Sequence, residues 1–451
     1  VTELELDDIQ GNVLRGYKSD AAAYAFLTVN DPEAAKAWLT EVRGRVQTAA
    51  RPPSGPTLNI AVSHPGLRAL EVDEVSLESF PVAFQDGMAA RAVEVLGDRA
   101  GNAPEHWDAP FRDQDDLHLL VIVTGTEGAV SHMLEELGQG WWQSGLGLLG
   151  DPLRARHLRE RREHFGYVDG MSQPGVAGVH TEGGAGEGVL ADNAWRPLQP
   201  GEFILGLPDE DGPAPPLPKP PVLSRHGSFL VLRKLGQDVA GFRRRLESVS
   251  SLTGMDRELV AAKLMGRWRD GTPLTLRPHG PDDALASDKT ASNRFTYEDD
   301  VMGFNCPIGA HIRRANPRTS LEFGDKLERR HRIIRRGIPY GEEFGDTSEG
   351  DDDRGLVFVC YQADIERQFE FVQSAWLDSG NVFALGADQD PFVGDPSSGT
   401  GWMRIEQGAP HPPLLIPNFQ DTVTVRGGAY FFLPSITALR YLGTTDGRKQ
   451  R

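Results

Sequence analysis

Residues 228–249, SFLVLRKLGQDVAGFRRRLESV, pass from an apolar run of strand length into an amphipathic helix, and this unit recurs along the chain. An earlier copy, AYAFLTVNDPEAAKAWLTEV (23–42), places Asp31 as N-cap and Pro32 at the first helical position. A second pair matches the first: DLHLLVIVTGTEGAVSHMLEEL (116–137) and GLVFVCYQADIERQFEFVQSAW (355–376). In the latter, Ile365, Phe369, Val372 and Trp376 share one helical face. Strand–helix units met twice per half predict two α+β domains, each a sheet covered by helices on one face. Unrelated strand–helix units in a single α/β domain remain the alternative. TVRGGAYFFLPS (424–435) adds a late strand after a glycine pair. Between the halves lie the glycine-rich HTEGGAGEGVLADN (180–193) and PDEDGPAPPLPKPPV (208–222), whose seven prolines predict an extended connector.

Bulk properties narrow the function. A chain of 451 residues exceeds the size at which one core usually stops growing, and it can enclose a large cofactor. Its formal charge of −18 opposes binding to nucleic acid or to an anionic membrane. Cys306 and Cys360 are the only cysteines, too few for a disulfide framework or a cysteine-rich metal site. No apolar run reaches the roughly 20 residues that cross a bilayer. The N-terminal segment shows neither a basic nor an apolar leader region, so a cytoplasmic location is expected, with export behind a removed leader left open.

There is no HExxH, no GxxxxGK[ST] and no GxSxG, which removes the commonest zinc, nucleotide and serine-hydrolase readings. Three polar clusters remain. NCPIGAHIRRANPRTS (305–320) holds His311 beside Arg313, Arg314 and Arg318; HFGYVDGMSQPG (164–175) holds Asp169; RRHRIIRRGIPYGEEFG (329–345) is strongly basic. Taken singly, each has a plain structural reading: a core histidine, a turn-capping aspartate and a solvated basic face. Together they suit haem, which needs one proximal imidazole, arginines for its propionates, and a distal acid/base with a fixed positive charge.

These residues carry a family resemblance. FGYVDGMSQPG resembles the GxxDG motif of dye-decolorizing (DyP-type) haem peroxidases, NCPIGAHIRRANPR their proximal-histidine motif, and IIRRGIPYG their distal-arginine segment. Similarity extends through residues 8–17, 201–208, 227–239, 261–274 and 427–435, nearly the whole chain, in the manner of the longer subgroups. The resemblance implies two ferredoxin-like domains (1–207 and 227–451, joined by 208–226) forming an α+β barrel with antiparallel sheets. It implies haem b, one per chain, with His311 as axial ligand, Asp169 as distal acid/base and Arg335 as distal arginine; Arg336 is the rival. Asp390, which precedes a proline as in the family pattern, is expected against the axial imidazole, ahead of Asp388 and Asp395. Arg313 and Arg318 are expected at the propionates, with Arg314 facing solvent.

Hydrogen peroxide and bulky aromatic donors are the implied substrates, with highest activity at acidic pH. Trp376, Tyr340, Trp402, Trp141 and Trp142 are candidate electron relays, and the acidic stretch 342–353 is a candidate Mn²⁺ site. A non-catalytic haem carrier is the competing function.

Overall fold

The computed structural model describes residues 4–444 apart from 18, 182, 192–193, 214–216, 322–325, 346–352, 396 and 398–400. Strand β1 (Ala21–Val29) is buried along almost its whole length. The helix Pro32–Val42 follows, its first turn closed by Asp31, whose carboxylate accepts from Glu33 N (3.1 Å) and Ala34 N (3.2 Å). Strands β2 (Thr57–Val62) and β3 (Leu119–Gly125), the helix Glu127–Trp141 and strand β4 (Leu146–Leu148) complete a βαββαβ unit with neighbour order β4-β1-β3-β2, antiparallel throughout. Strand β5 (Leu153–Arg156) pairs with the start of β1. The glycine-rich stretch forms the small hairpin β6 (Val189–Ala191) and β7 (Ala194–Arg196).

The later half repeats the pattern. It runs through β8 (Ser228–Gln237), the helix Val239–Thr253, β9 (Ile334–Arg335), β10 (Ile338–Tyr340), β11 (Gly355–Gln362), a helix over 366–377, the hairpin β12 (Trp402–Ile405) and β13 (Leu414–Pro417), and β14 (Val423–Leu433). Its sheet order, β10-β11-β8-β14, is that of the first half. The helix over 366–377 winds as a π-helix rather than the α-helix that the spacing predicts, and Ile365, Phe369, Val372 and Trp376 are all buried as expected.

The two sheets are not separate. β14 pairs with β2 at Phe432 and Val62, giving one ten-stranded sheet, and β5 packs against β10 at the other end, so the sheet curls into an α+β barrel. Both faces of β1 and β8 are therefore covered, one by helices and the other by a core shared between halves, where Phe84 meets Phe229 and Phe80 meets Phe432. Backbone pairing across the seam is short, and the buried Gln10 reinforces it. Its amide donates to Ile60 O and Pro434 O (both 2.8 Å) and accepts from Ile60 N (3.0 Å). Gln10→Ala leaves these groups unpaired in the core. The expected loss is about 2–4 kcal/mol, seen as a lower urea midpoint, whereas Arg45→Ala, which removes an exposed pair with Glu136, costs less than about 1 kcal/mol.

Candidate active site

The proximal side is built on a turn that Asp300 organises by accepting from Asn305 N (3.0 Å) and Cys306 N (2.8 Å). The short helix His311–Ala315 starts immediately beyond it. His311 Nδ1 lies 2.9 Å from Asp390 Oδ2, and Asp390 Oδ1 accepts from Phe392 N (2.9 Å) and Val393 N (3.0 Å). Burial works against protonating the imidazole, but the Asp390 carboxylate outweighs it and raises the His311 pKa. Burial likewise acts to raise Asp390, while the imidazole and the backbone donors hold it below the usual carboxylate range. With Nδ1–H committed to Asp390, the Nε2 lone pair is free to face the cavity that His311 lines.

The other two aspartates have different partners. Asp388 sits 3.5 Å from Arg314 and burial pushes it up to about 6; Asp395 pairs with Arg99 at 2.6 Å. Asp378 clamps the loop bearing Asp390, its carboxylate accepting from Asp395 N (3.0 Å) and Gln373 Nε2 (3.3 Å).

On the distal side, residues 163–170 turn sharply at Gly166 (φ 96°) and Gly170 (φ 69°), conformations that favour glycine. Asp169 lines the cavity and also accepts from Gly170 N (2.5 Å), so the turn-capping and cavity-facing readings coexist. Arg335 reaches the same cavity from β9. Gln173 pairs with its backbone in both directions (3.0 Å each), and its guanidinium donates to Ser172 O (2.8 Å), which fixes strand to loop. Arg336 points away, donating to Asn12 O and Val13 O.

Two arginine expectations need correction. Arg313 does not line the cavity: it pairs with Asp300 (3.4 Å), donates to Cys306 O (2.8 Å) and lies over the Tyr297 ring. The helix explains this, because two residues on from His311 lie about 200° around its axis. Arg314 is fully buried, donating to Trp376 O and Ser379 O, rather than facing solvent. Arg318 does line the cavity, stacked 3.6 Å from the Phe295 centroid, with a left-handed backbone (φ 60°).

Three buried arginines, Arg267, Arg318 and Arg332, cluster with Arg335 at this end of the cavity. Among the described residues none of the four is ion-paired with a carboxylate, and their bonds run mainly to carbonyl oxygens. Burial, and then the Arg318 charge, lower Arg267 to about 10 and Arg332 to about 9. This excess of positive charge, offset at longer range by Glu187 and Glu328, fits an anionic ligand, and a haem's two propionates suit it. The barrel sheet supplies an apolar wall from Leu235, Leu356, Phe358, Val423 and Val425.

Sequence reasoning missed Arg267 and Arg332, because in basic stretches only packing tells which guanidinium turns inward. Among the relay candidates, Trp376, Tyr340 and Trp141 are buried, while Trp402 and Trp142 are exposed. The acidic stretch 342–353 lies largely outside the described residues; Asp353 is bonded to Lys234 (2.6 Å) and Glu342 to Arg156 (2.5 Å). Among the described residues no helix is long and apolar enough to cross a membrane.

A family model described as the DyP dimeric alpha+beta barrel domain matches residues 8–144, and one for the C-terminal part of Dyp-type peroxidases matches 263–384. The chain is 30% identical to dye-decolorizing peroxidase msp1 of Mycetinis scorodonius, covering 97% of this chain and 87% of that one. It is 33% identical to the dye-decolorizing peroxidase of Mycena epipterygia, over 97% and 86%. A solved dye-decolorizing peroxidase in complex with 2,6-dimethoxyphenol superposes with a TM-score of 0.81 at 28% identity, covering 98% of this chain and all of that one. The chain belongs to the family of DyP-type peroxidases. It is a peroxidase, and the cofactor of its family is haem.

Asp378 gives this proximal wall a pH dependence. Burial is the main cause that pushes its carboxyl up to about 8, with the Asp98 and Asp395 charges adding to it. A carboxyl raised in the folded state favours folding at low pH and loses that contribution as pH climbs towards 8. Asp378→Asn is therefore expected to raise the thermal midpoint relative to wild type at pH 8–9 and to give no gain at pH 4, as read by scanning calorimetry.

Proposed function

We propose that the chain binds one haem b through His311, reduces hydrogen peroxide, and oxidises bulky aromatic donors such as phenols and dyes in one-electron steps. The observation that carries this reading is convergence on one cavity: an imidazole backed by a carboxylate, Asp169, Arg335, and arginines without carboxylate partners. When bound, haem supplies a redox-active iron. His311 Nε2 would hold the haem iron, and Asp390, accepting from Nδ1–H, would make the imidazole a stronger donor. Arg318, with Arg267 and Arg332 behind it, would neutralise the propionates. The halves 1–207 and 227–451, joined by 208–226, are the two domains of this reading.

Asp169 takes a proton from the near oxygen of peroxide and returns it to the departing one. Arg335, fixed by Ser172 and Gln173, stabilises the negative charge that develops as the O–O bond breaks. Overall, one peroxide takes up two electrons and two protons to give two waters; two phenols each supply one electron and one proton. Donors of the size of 2,6-dimethoxyphenol are the class expected, in line with the related peroxidase that binds it. For donors too large to enter, Trp402 is the favoured relay: it is exposed, and its neighbour Met403 is so near Gly309, two residues before His311, that a Cβ on that glycine would touch it.

A haem carrier needs the axial ligand and the arginines, but has no use for Asp169 and Arg335. Stopped-flow mixing of the haem-loaded protein with peroxide separates the two functions. Asp169→Asn and Arg335→Leu are each expected to slow the reaction with peroxide by about 10²–10⁴-fold while haem is retained. Unchanged rates in both variants would contradict the roles given to Asp169 and Arg335.

A further inference from the structure

Glu163 belongs to the same cavity wall but has no part in the scheme above. Among the described residues its carboxylate has no ion-pair partner, and its charge acts at longer range on His311. Oε1 accepts from Tyr167 N (2.9 Å), while Oε2 accepts from Phe165 N (3.0 Å) and from Gln237 Nε2 (2.6 Å) at the end of β8. Its backbone closes the same turn, donating to Tyr167 O (2.9 Å) and accepting from Gly166 N (2.8 Å). One residue thus ties together the segment that leads into Asp169, and Gln237 anchors it to the other half of the barrel. Burial raises the Glu163 pKa, with the Asp169 charge contributing. Gln237 Oε1 is buried without a partner, so a rotated amide can accept from a protonated Glu163 as readily as the present one donates to the carboxylate.

We propose that Glu163 is a positioning residue for the distal acid/base: its carboxyl group, held by Gln237, fixes the loop that sets Asp169 against peroxide. This rests on the role given to Asp169 above. Glu163→Gln keeps the size of the side chain but turns an NH₂ group towards one of the two loop amides, so at least one of those bonds is lost. The distal loop then loosens, while the His311–Asp390 bond, whose partners lie on other elements, is kept.

Three readouts on the haem-loaded protein test this. In Glu163→Gln, kcat/KM for peroxide is expected to fall about 10–100-fold, the effect of a misplaced catalytic group, with KM for 2,6-dimethoxyphenol and haem content unchanged. Amide hydrogen exchange at Phe165 and Tyr167 is expected to quicken by about tenfold or more. The double variant Glu163→Gln/Asp169→Asn is expected to react no more slowly than Asp169→Asn alone, because Glu163 acts through Asp169. Gln237→Leu, which leaves Glu163 intact, is expected to change the same readouts in the same direction and serves if Glu163→Gln folds poorly. A wild-type peroxide rate in Glu163→Gln, or losses that simply add in the double variant, would overturn the proposal while Asp169→Asn remained slow. A normal rate in Asp169→Asn would instead sink the proposed function, and the role of Glu163 with it.

Discussion

The bond between His311 Nδ1 and Asp390 Oδ2 is the interaction around which the site is organised. A buried carboxylate is costly unless it is paired and hydrogen-bonded, and Asp390 meets both conditions through the imidazole and two backbone amides. The consequence is chemical as well as structural. The pair orients the ring, fixes its tautomer and leaves Nε2 as the donor facing the cavity. Removing either partner strands the other in the interior. The loop that carries Asp390 is accordingly clamped from behind, by Asp378 on Asp395 N and by Leu377 O on Asp390 N.

The barrel supplies the second constraint. Because β14 joins β2 and β5 lies against β10, both halves contribute to one enclosure, and the loop bearing Asp169 lines the same cavity as His311. Apolar strand residues form one wall, and arginines without an ion-pair partner among the described residues gather at one end, so the cavity is polarised. Burial, and then the charges of neighbouring arginines, lower the pKa of Arg267 and Arg332. A dianionic ligand that neutralised them would stabilise the fold on binding.

Much of this was legible in the sequence, and what was not has a physical reason. The repeated strand–helix units and the spacing from Ile365 to Trp376 are local patterns, and they predicted elements and buried faces correctly. The join between the sheets was not readable, because it rests on one backbone pair and on Gln10, whose partners Ile60 and Pro434 are distant in sequence. Geometry put Asp390 on the imidazole and left Asp388 and Asp395 to arginines. Arg313 misled because adjacency in sequence to His311 means the opposite side of a helix, whereas Arg318, beyond the helix end, swings back through a left-handed backbone. Glu163 escaped notice because its role lies in hydrogen bonds to its own loop, a pattern with no compositional signature.

The central claim is that His311, backed by Asp390, is the axial donor of a haem held in this cavity. Titrating haem into wild-type protein and into His311→Ala, followed by visible absorption, tests it most directly. The account predicts one haem per chain with a histidine-ligated Soret spectrum in the wild type. In the variant it predicts a shifted or missing band that added imidazole restores. Identical spectra and equal haem affinity in the two proteins would contradict it.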